Sequence, residues 1–469
     1  MFFYALPYQL KTVVKMPFFV LVVLTALLFH KTTFAQEFHK ESNPELYHSI
    51  TVAFGKSDDA QKSLDWIIAR ENADMAAHLI TAMRYSRLGR SPIAQALTEL
   101  TGENKPKDWF EWMLWQQSNT NLKPHKSYLD FKSVIFYSID PEFQRFFRPE
   151  MDFDIRPEEI VWGGVHVDGI PALDNPRHTN ISAATYLEDN DDVFGIEING
   201  DARAYPLRIM GWHEMFNDVV GGVPVSLAYC TLCGAGILFE GDYQGREEFG
   251  VEEPFNFGSS GFLYQSNKLM YDRNTDSLWN QFTGQPVSGP LRGSGIELKI
   301  RPVVITSWAK WKELHPDTKV LSLDTGFRRD YGSGVVYKEY FASPDLMFPA
   351  LGDQSRKLAE KDQIFGLRLE GGIKAWPLDR FSGGQVINDR VGAINVVLIG
   401  DAKTRTVRAY ERQNYEFTED LKTQDNLQWV LSEGKLLSDK GDTLKRLPGH
   451  ISYWFAWAGY LGNETELYQ

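Results

Sequence analysis

Cys230 and Cys233 are the only cysteines in 469 residues, and just two residues separate them. A Cys-x-x-Cys spacing serves thiol chemistry: it captures a metal ion or cycles between dithiol and disulfide. The run Leu227-Ala228-Tyr229-Cys230-Thr231-Leu232-Cys233-Gly234 puts the first cysteine at the end of an alternating strand. A glycine after the second cysteine lets backbone N–H groups face the sulfurs. Two thiolates make half of a tetrahedral site, and His213 is the expected third ligand. Zinc or cuprous copper is the metal that such soft donors favour. Glu214, His166 and His178 are candidates for the fourth position. Asp272 and Arg273 could form a polar network that orders the site or merely its loop. No catalytic residue is assigned, and whether the chain is an enzyme stays open.

Other chemistries lack their residues. Gly234 stands where c-type haem attachment needs histidine. No phosphate loop, Gly-x-Ser-x-Gly elbow or His-Glu-x-x-His motif occurs, so no nucleotide cofactor is expected. The formal net charge is −13, without a Lys/Arg-rich run, which argues against a nucleic-acid partner. Structural stapling by the cysteines is the weaker reading, since so short a loop constrains the unfolded chain little.

Elements to hold these residues appear twice. Val193 to Leu207 reads V-F-G-I-E-I-N-G-D-A-R-A-Y-P-L, and Ile364 to Leu378 reads I-F-G-L-R-L-E-G-G-I-K-A-W-P-L. The offset carries Asn217-Asp218 onto Asn388-Asp389 and Gly221 onto Gly392. It then shortens, and Trp308 and Trp311 answer to Trp454 and Trp457. Asn199-Gly200 predicts a two-residue hairpin turn, Gly371-Gly372 a second, and the Asn-Asp pairs a further turn in each copy. Strands with Gly-rich turns argue for a β unit present twice. His213-Glu214 become Gly384-Gln385 in the second copy, and Cys230 and Cys233 become Asp401 and Thr404. Imidazole and thiols are thus present together in one copy and absent from the other, as expected of groups sharing a site.

Upstream, helical periodicity predicts helices over Ala60–Arg70, Ala73–Arg84, Pro92–Leu100 and Asp108–Gln117. Before them, Lys11 and Lys15 precede an apolar run from Met16 to Phe29, with a cut expected between Ala35 and Gln36. The expected class is α+β. Residues 1–35 are a signal peptide, 36–155 a helical domain, 156–345 the first β copy and 346–469 a second, degenerate copy. The protein is expected to be exported, periplasmic or extracellular, with no membrane span after cleavage.

The motifs D-G-I-P-A-L-D-N-P from Asp168, A-Y-P-L from Ala204, W-H-E-M-F-N-D from Trp212, Y-C-T-L-C from Tyr229 and Y-D-R-N-T-D-S-L-W from Tyr271 resemble the family known as domain of unknown function 3179. That family's pattern usually has proline between the cysteines, where this chain has Thr231. The resemblance implies mostly exported prokaryotic proteins and supplies no established activity. Three functions follow from the residues: metal binding by Cys230, Cys233 and His213; thiol–disulfide redox chemistry; or a non-enzymatic scaffold for a protein or glycan partner. Metal binding is the leading expectation, with a protein or small-molecule partner unspecified.

Overall fold

The computed structural model describes residues 41–352 and 357–469. The expected signal segment, residues 1–35, lies outside the described residues. The chain divides between Glu103 and Asn104 into two compact units.

The first unit is helical: α1 (Pro44–Phe54), α2 (Ser57–Ile68), α3 (Ala76–Ala82) and α4 (Arg90–Thr101). Pro44 opens α1 at a position where its missing N–H costs nothing, and the Asn43 side chain accepts from the Leu46 N–H at 3.2 Å. The helix α4 ends on Gly102 at φ 73°, the left-handed cap that glycine adopts without strain. Asp58 and Asp59 fall in the first turn of α2, where acidic side chains favour the helix dipole.

The second unit begins with α5 (Trp109–Ser118) and α6 (Tyr128–Ile139). Asp108 caps α5 through the Phe110 N–H. Helix α6 falls within the stretch expected to be helical, although Val134-Ile135-Phe136-Tyr137 is a β-branched and aromatic run of strand-forming residues. Packing overrides that local preference: Phe131, Ile135 and Phe136 are buried, and Ser133 Oγ donates to the Phe147 carbonyl at 3.0 Å.

The rest is β-rich, with five small sheets among the described residues. Three carry the first copy. Two of them use strands Asp192–Ile198 and Asp201–Pro206, and strands Met215–Val220, Val223–Cys230 and Ala235–Glu240. The second copy repeats their register. Val193 pairs with Pro206 and Ile364 with Pro377; Asn217 pairs with Ser226 and Asn388 with Val397; Cys230 pairs with Ala235 and Asp401 with Thr406. Each partner is shifted by 171 residues, through to Glu240 and Glu411. The third strand of each first sheet also agrees: Gly195 pairs with Val304, Gly366 with His450. A side chain at either glycine would overlap a tryptophan ring, Trp311 in one copy and Trp457 in the other.

The repeated polar pairs do not form turns as expected. Asn217 and Asp218 lie inside strand Met215–Val220, and the bend comes at Gly221-Gly222. Their side chains explain this. Asn217 Nδ2 donates to the Phe257 carbonyl and Oδ1 accepts the Phe257 N–H, both at 2.9 Å. Asn388 makes the same two bonds to Phe417, at 2.7 and 2.9 Å. Asp218 accepts from Tyr205 Oη at 2.6 Å, and Asp389 from Trp376 Nε1 at 2.8 Å. The Asn199-Gly200 hairpin occurs as expected, with φ 52° and 82°. The second hairpin turns on Glu370-Gly371, and Gly372 already belongs to the next strand.

One hydrophobic core joins the copies, with Phe194, Tyr205 and Leu227 in the same buried cluster as Phe365, Trp376 and Leu398. Among the described residues no helix is long and apolar enough to cross a membrane.

Candidate functional site

The strands Val223–Cys230 and Ala235–Glu240 are joined by the turn that carries both cysteines, and Cys230 and Cys233 form a disulfide. Gly234 takes φ 61°, the left-handed conformation needed to re-enter the ladder. The Cys233 N–H points at Cys230 Sγ at 3.3 Å. The two sulfurs differ in surroundings. Cys230 lines a cavity of about 40 Å³, while Cys233 is fully buried and its Sγ lies 3.9 Å from the Ser266 carbonyl.

The same cavity is also lined by two charged residues, Glu214 and Lys268. Glu214 follows the short helix α7 (Leu207–His213) and caps it at φ 54°, its N–H donating to the Met210 carbonyl at 2.7 Å. A left-handed non-glycine residue is strained, and such strain concentrates at functional sites. The carboxylate is aimed inward. Thr231 Oγ1 donates to its Oε1 at 2.7 Å, Tyr337 Oη to the same oxygen at 3.2 Å, and Lys268 Nζ to Oε2 at 3.2 Å. Lys268 and Glu214 are both buried, so the pair is an internal salt bridge. Buried ion pairs add little net stability compared with apolar packing, which makes a chemical role for this one worth weighing. The negative charge of Glu214, with burial second, holds the Tyr337 phenol well above its ordinary pKa, so Tyr337 stays a donor.

His213 does not line this cavity. Its Nδ1 lies 2.9 Å from the Pro171 carbonyl and its Nε2 2.7 Å from Tyr331 Oη. A carbonyl only accepts, so Nδ1 carries the proton and the Nε2 lone pair receives the tyrosine hydroxyl. Burial lowers the imidazole pKa, with the Pro171 carbonyl opposing, which favours this neutral form. The three expected ligands, Cys230, Cys233 and His213, are therefore engaged otherwise: the thiols with each other, the imidazole with Pro171 and Tyr331. Among the described residues no group of three or more His, Cys, Asp or Glu side chains is arranged to hold a metal ion.

The remaining candidates are dispersed. His166 is largely exposed, with Nδ1 3.2 Å from Asp140. His178 Nε2 lies 3.5 Å from Asp218, within the Asp218–Tyr205–Arg203 network. Asp272 accepts from Trp279 Nε1 and from the Thr275 N–H and hydroxyl, which orders its loop. Arg273 reaches Asp168 and Asp174 at 3.2 and 3.0 Å and ties down the turn-rich segment. Of the named candidates, the structure gathers Cys230, Cys233 and Glu214. Lys268, Thr231 and Tyr337 were missed. A lone lysine ahead of Leu269-Met270-Tyr271 was the available signal for Lys268; Tyr337 had none.

The second copy has the same turn without the cysteines. Asp401 and Thr404 replace the cysteines, and Arg405 takes the left-handed place of Gly234 with φ 54°. Gln385 stands at the Glu214 position.

No curated protein and no solved structure matches the chain. A family model described as protein of unknown function (DUF3179) matches residues 167–464, which include both copies and all six residues of the centre. The chain belongs to the DUF3179 family.

Proposed function

We propose that this is an exported thiol–disulfide redox protein, built by internal duplication, whose reactive centre is Cys230–Cys233. The observation that carries this reading is the asymmetry of the pair. One sulfur borders a cavity that also holds the Glu214–Lys268 pair, and the other is sealed behind it. Disulfide exchange needs one sulfur open to attack and one able to leave as a thiolate. In this reading an incoming thiolate attacks Cys230 Sγ, the disulfide breaks, and Cys233 leaves with the electron pair and takes up a proton. A second thiolate then attacks the mixed disulfide and releases Cys230. The sum is protein disulfide plus two thiols giving protein dithiol plus an external disulfide. The Lys268 ammonium favours thiolates near it, and the Glu214 carboxylate can accept and return a proton.

The first copy keeps these groups together, and the turn at Asp401–Thr406 closes without sulfur. The pair is therefore not a requirement of the hairpin. The test is thiol titration of the native protein before and after dithiothreitol. The expected result is two thiols that appear without unfolding and disappear on reoxidation. Thiols that emerge only on denaturation would reduce the disulfide to a staple. Stoichiometric zinc or copper on the reduced pair would favour metal capture instead.

A further inference from the structure

The cysteine turn is clamped along its length. Tyr340 Oη donates to the Leu232 carbonyl at 2.7 Å, and the Tyr453 N–H donates to the Cys233 carbonyl at 2.7 Å. Gln281 Nε2 donates to the Ala228 and Ala235 carbonyls at 2.8 and 3.1 Å, tying together the strands that flank the turn. Thr231 is anchored to Glu214. These bonds come from four separate segments, so the turn cannot swing outward without losing several at once. Cys230 is 2 % exposed and Cys233 0 %. The cavity beside Cys230 has room for roughly three waters.

These dimensions discriminate between exchange partners. In a disulfide between two protein chains the Cα atoms usually lie about 4.4–6.8 Å apart. A protein cysteine attacking Cys230 would have to bring its own backbone that close, inside the wall of the β-rich body. A low-molecular-weight thiol carries its sulfur at the end of a thin arm and needs only the cavity.

We infer that the exchange partner of Cys230–Cys233 is a small-molecule thiol, admitted by the tip that bears its sulfur, and not the exposed dithiol of another protein. This rests on the redox reading above and names the substrate class of the same centre.

The experiment measures the rate of reduction of the native, full-length protein by 2-mercaptoethanol and by reduced thioredoxin. Each rate is divided by that reagent's rate on an exposed protein disulfide, such as that of insulin. The expected result is a normalised rate for thioredoxin at least tenfold below that for 2-mercaptoethanol. A thioredoxin rate equal to or above it would overturn the small-thiol inference and leave the redox reading standing. Failure of both reagents, and of dithiothreitol, on the folded protein would remove the redox reading itself.

Discussion

The Lys268 ammonium meets the Glu214 carboxylate at 3.2 Å inside the β-rich body, and the same carboxylate holds Thr231 of the cysteine turn. Charge, strain and sulfur are thus coupled through one side chain. Removing one partner of a buried pair leaves the other uncompensated, at a cost of about 3–5 kcal/mol. Lys268→Met should therefore lower the unfolding free energy by about that much, and adding Glu214→Gln should recover a large part. Denaturant unfolding of the two single variants and the double variant measures the coupling. Strictly additive effects would mean that the two charges do not interact.

The disulfide itself should matter little to stability. Closing a four-residue loop contributes about 2 kcal/mol in the chain-entropy model, and the Asp401–Thr406 turn shows that the geometry persists without it. The double variant Cys230→Ser, Cys233→Ser should fold with its circular-dichroism spectrum intact and its midpoint lowered by a few degrees. Loss of the folded state would make the pair structural.

The two asparagine clasps offer a matched comparison. Asn217 is buried and also accepts from Ser226 Oγ at 2.7 Å, whereas Asn388 is half-buried. Orphaning a buried backbone group costs about 1–3 kcal/mol. Asn217→Ala should destabilise by several kcal/mol and Asn388→Ala by less, measured by urea unfolding. The reverse order would contradict the burial argument.

Acid should weaken the protein partly through His450. Burial, reinforced by the Arg368 charge, pulls this imidazole from 6.5 down to about 3. The unfolded chain therefore binds a proton below about pH 6.5 that the folded state refuses. The stabilisation is complete above that pH and is lost as pH falls toward 3, by up to about 1.4 kcal/mol per unit. His450→Leu should flatten the dependence of unfolding free energy between pH 6.5 and 4. Parallel curves for the variant and the parent would show that His450 does not titrate on unfolding.

Local patterns in the chain foretold the two β-rich repeats and the Asn199-Gly200 hairpin, because each is a property of neighbouring residues. The 171-residue offset carried more than expected, since it preserved strand register to Glu240 and Glu411. Patterns failed where distant segments decide. Asn217-Asp218 resembles a turn by composition and is a strand, because Phe257, Tyr205 and Arg203 supply partners from elsewhere. His213 shares the first copy with the cysteines, yet α7 sends its ring toward Pro171 and Tyr331 while the next residue turns inward. Lys268 and Tyr337 reach Glu214 from 54 and 123 residues away, a juxtaposition that no local spacing encodes.

The Tyr453 N–H that grips the Cys233 carbonyl belongs to the copy without sulfur. In return, Thr406 of that copy's own hairpin hydrogen-bonds Thr306 of the other at 2.8 Å. Each half thus braces its sibling's loop, in the manner of a dimer fused into one polypeptide. In such a pair the member without cysteines still serves as a buttress for the loop that carries them. It also furnishes a built-in reference: whatever reagent alters one loop meets, in the same molecule and the same tube, a counterpart of like shape that has nothing to react.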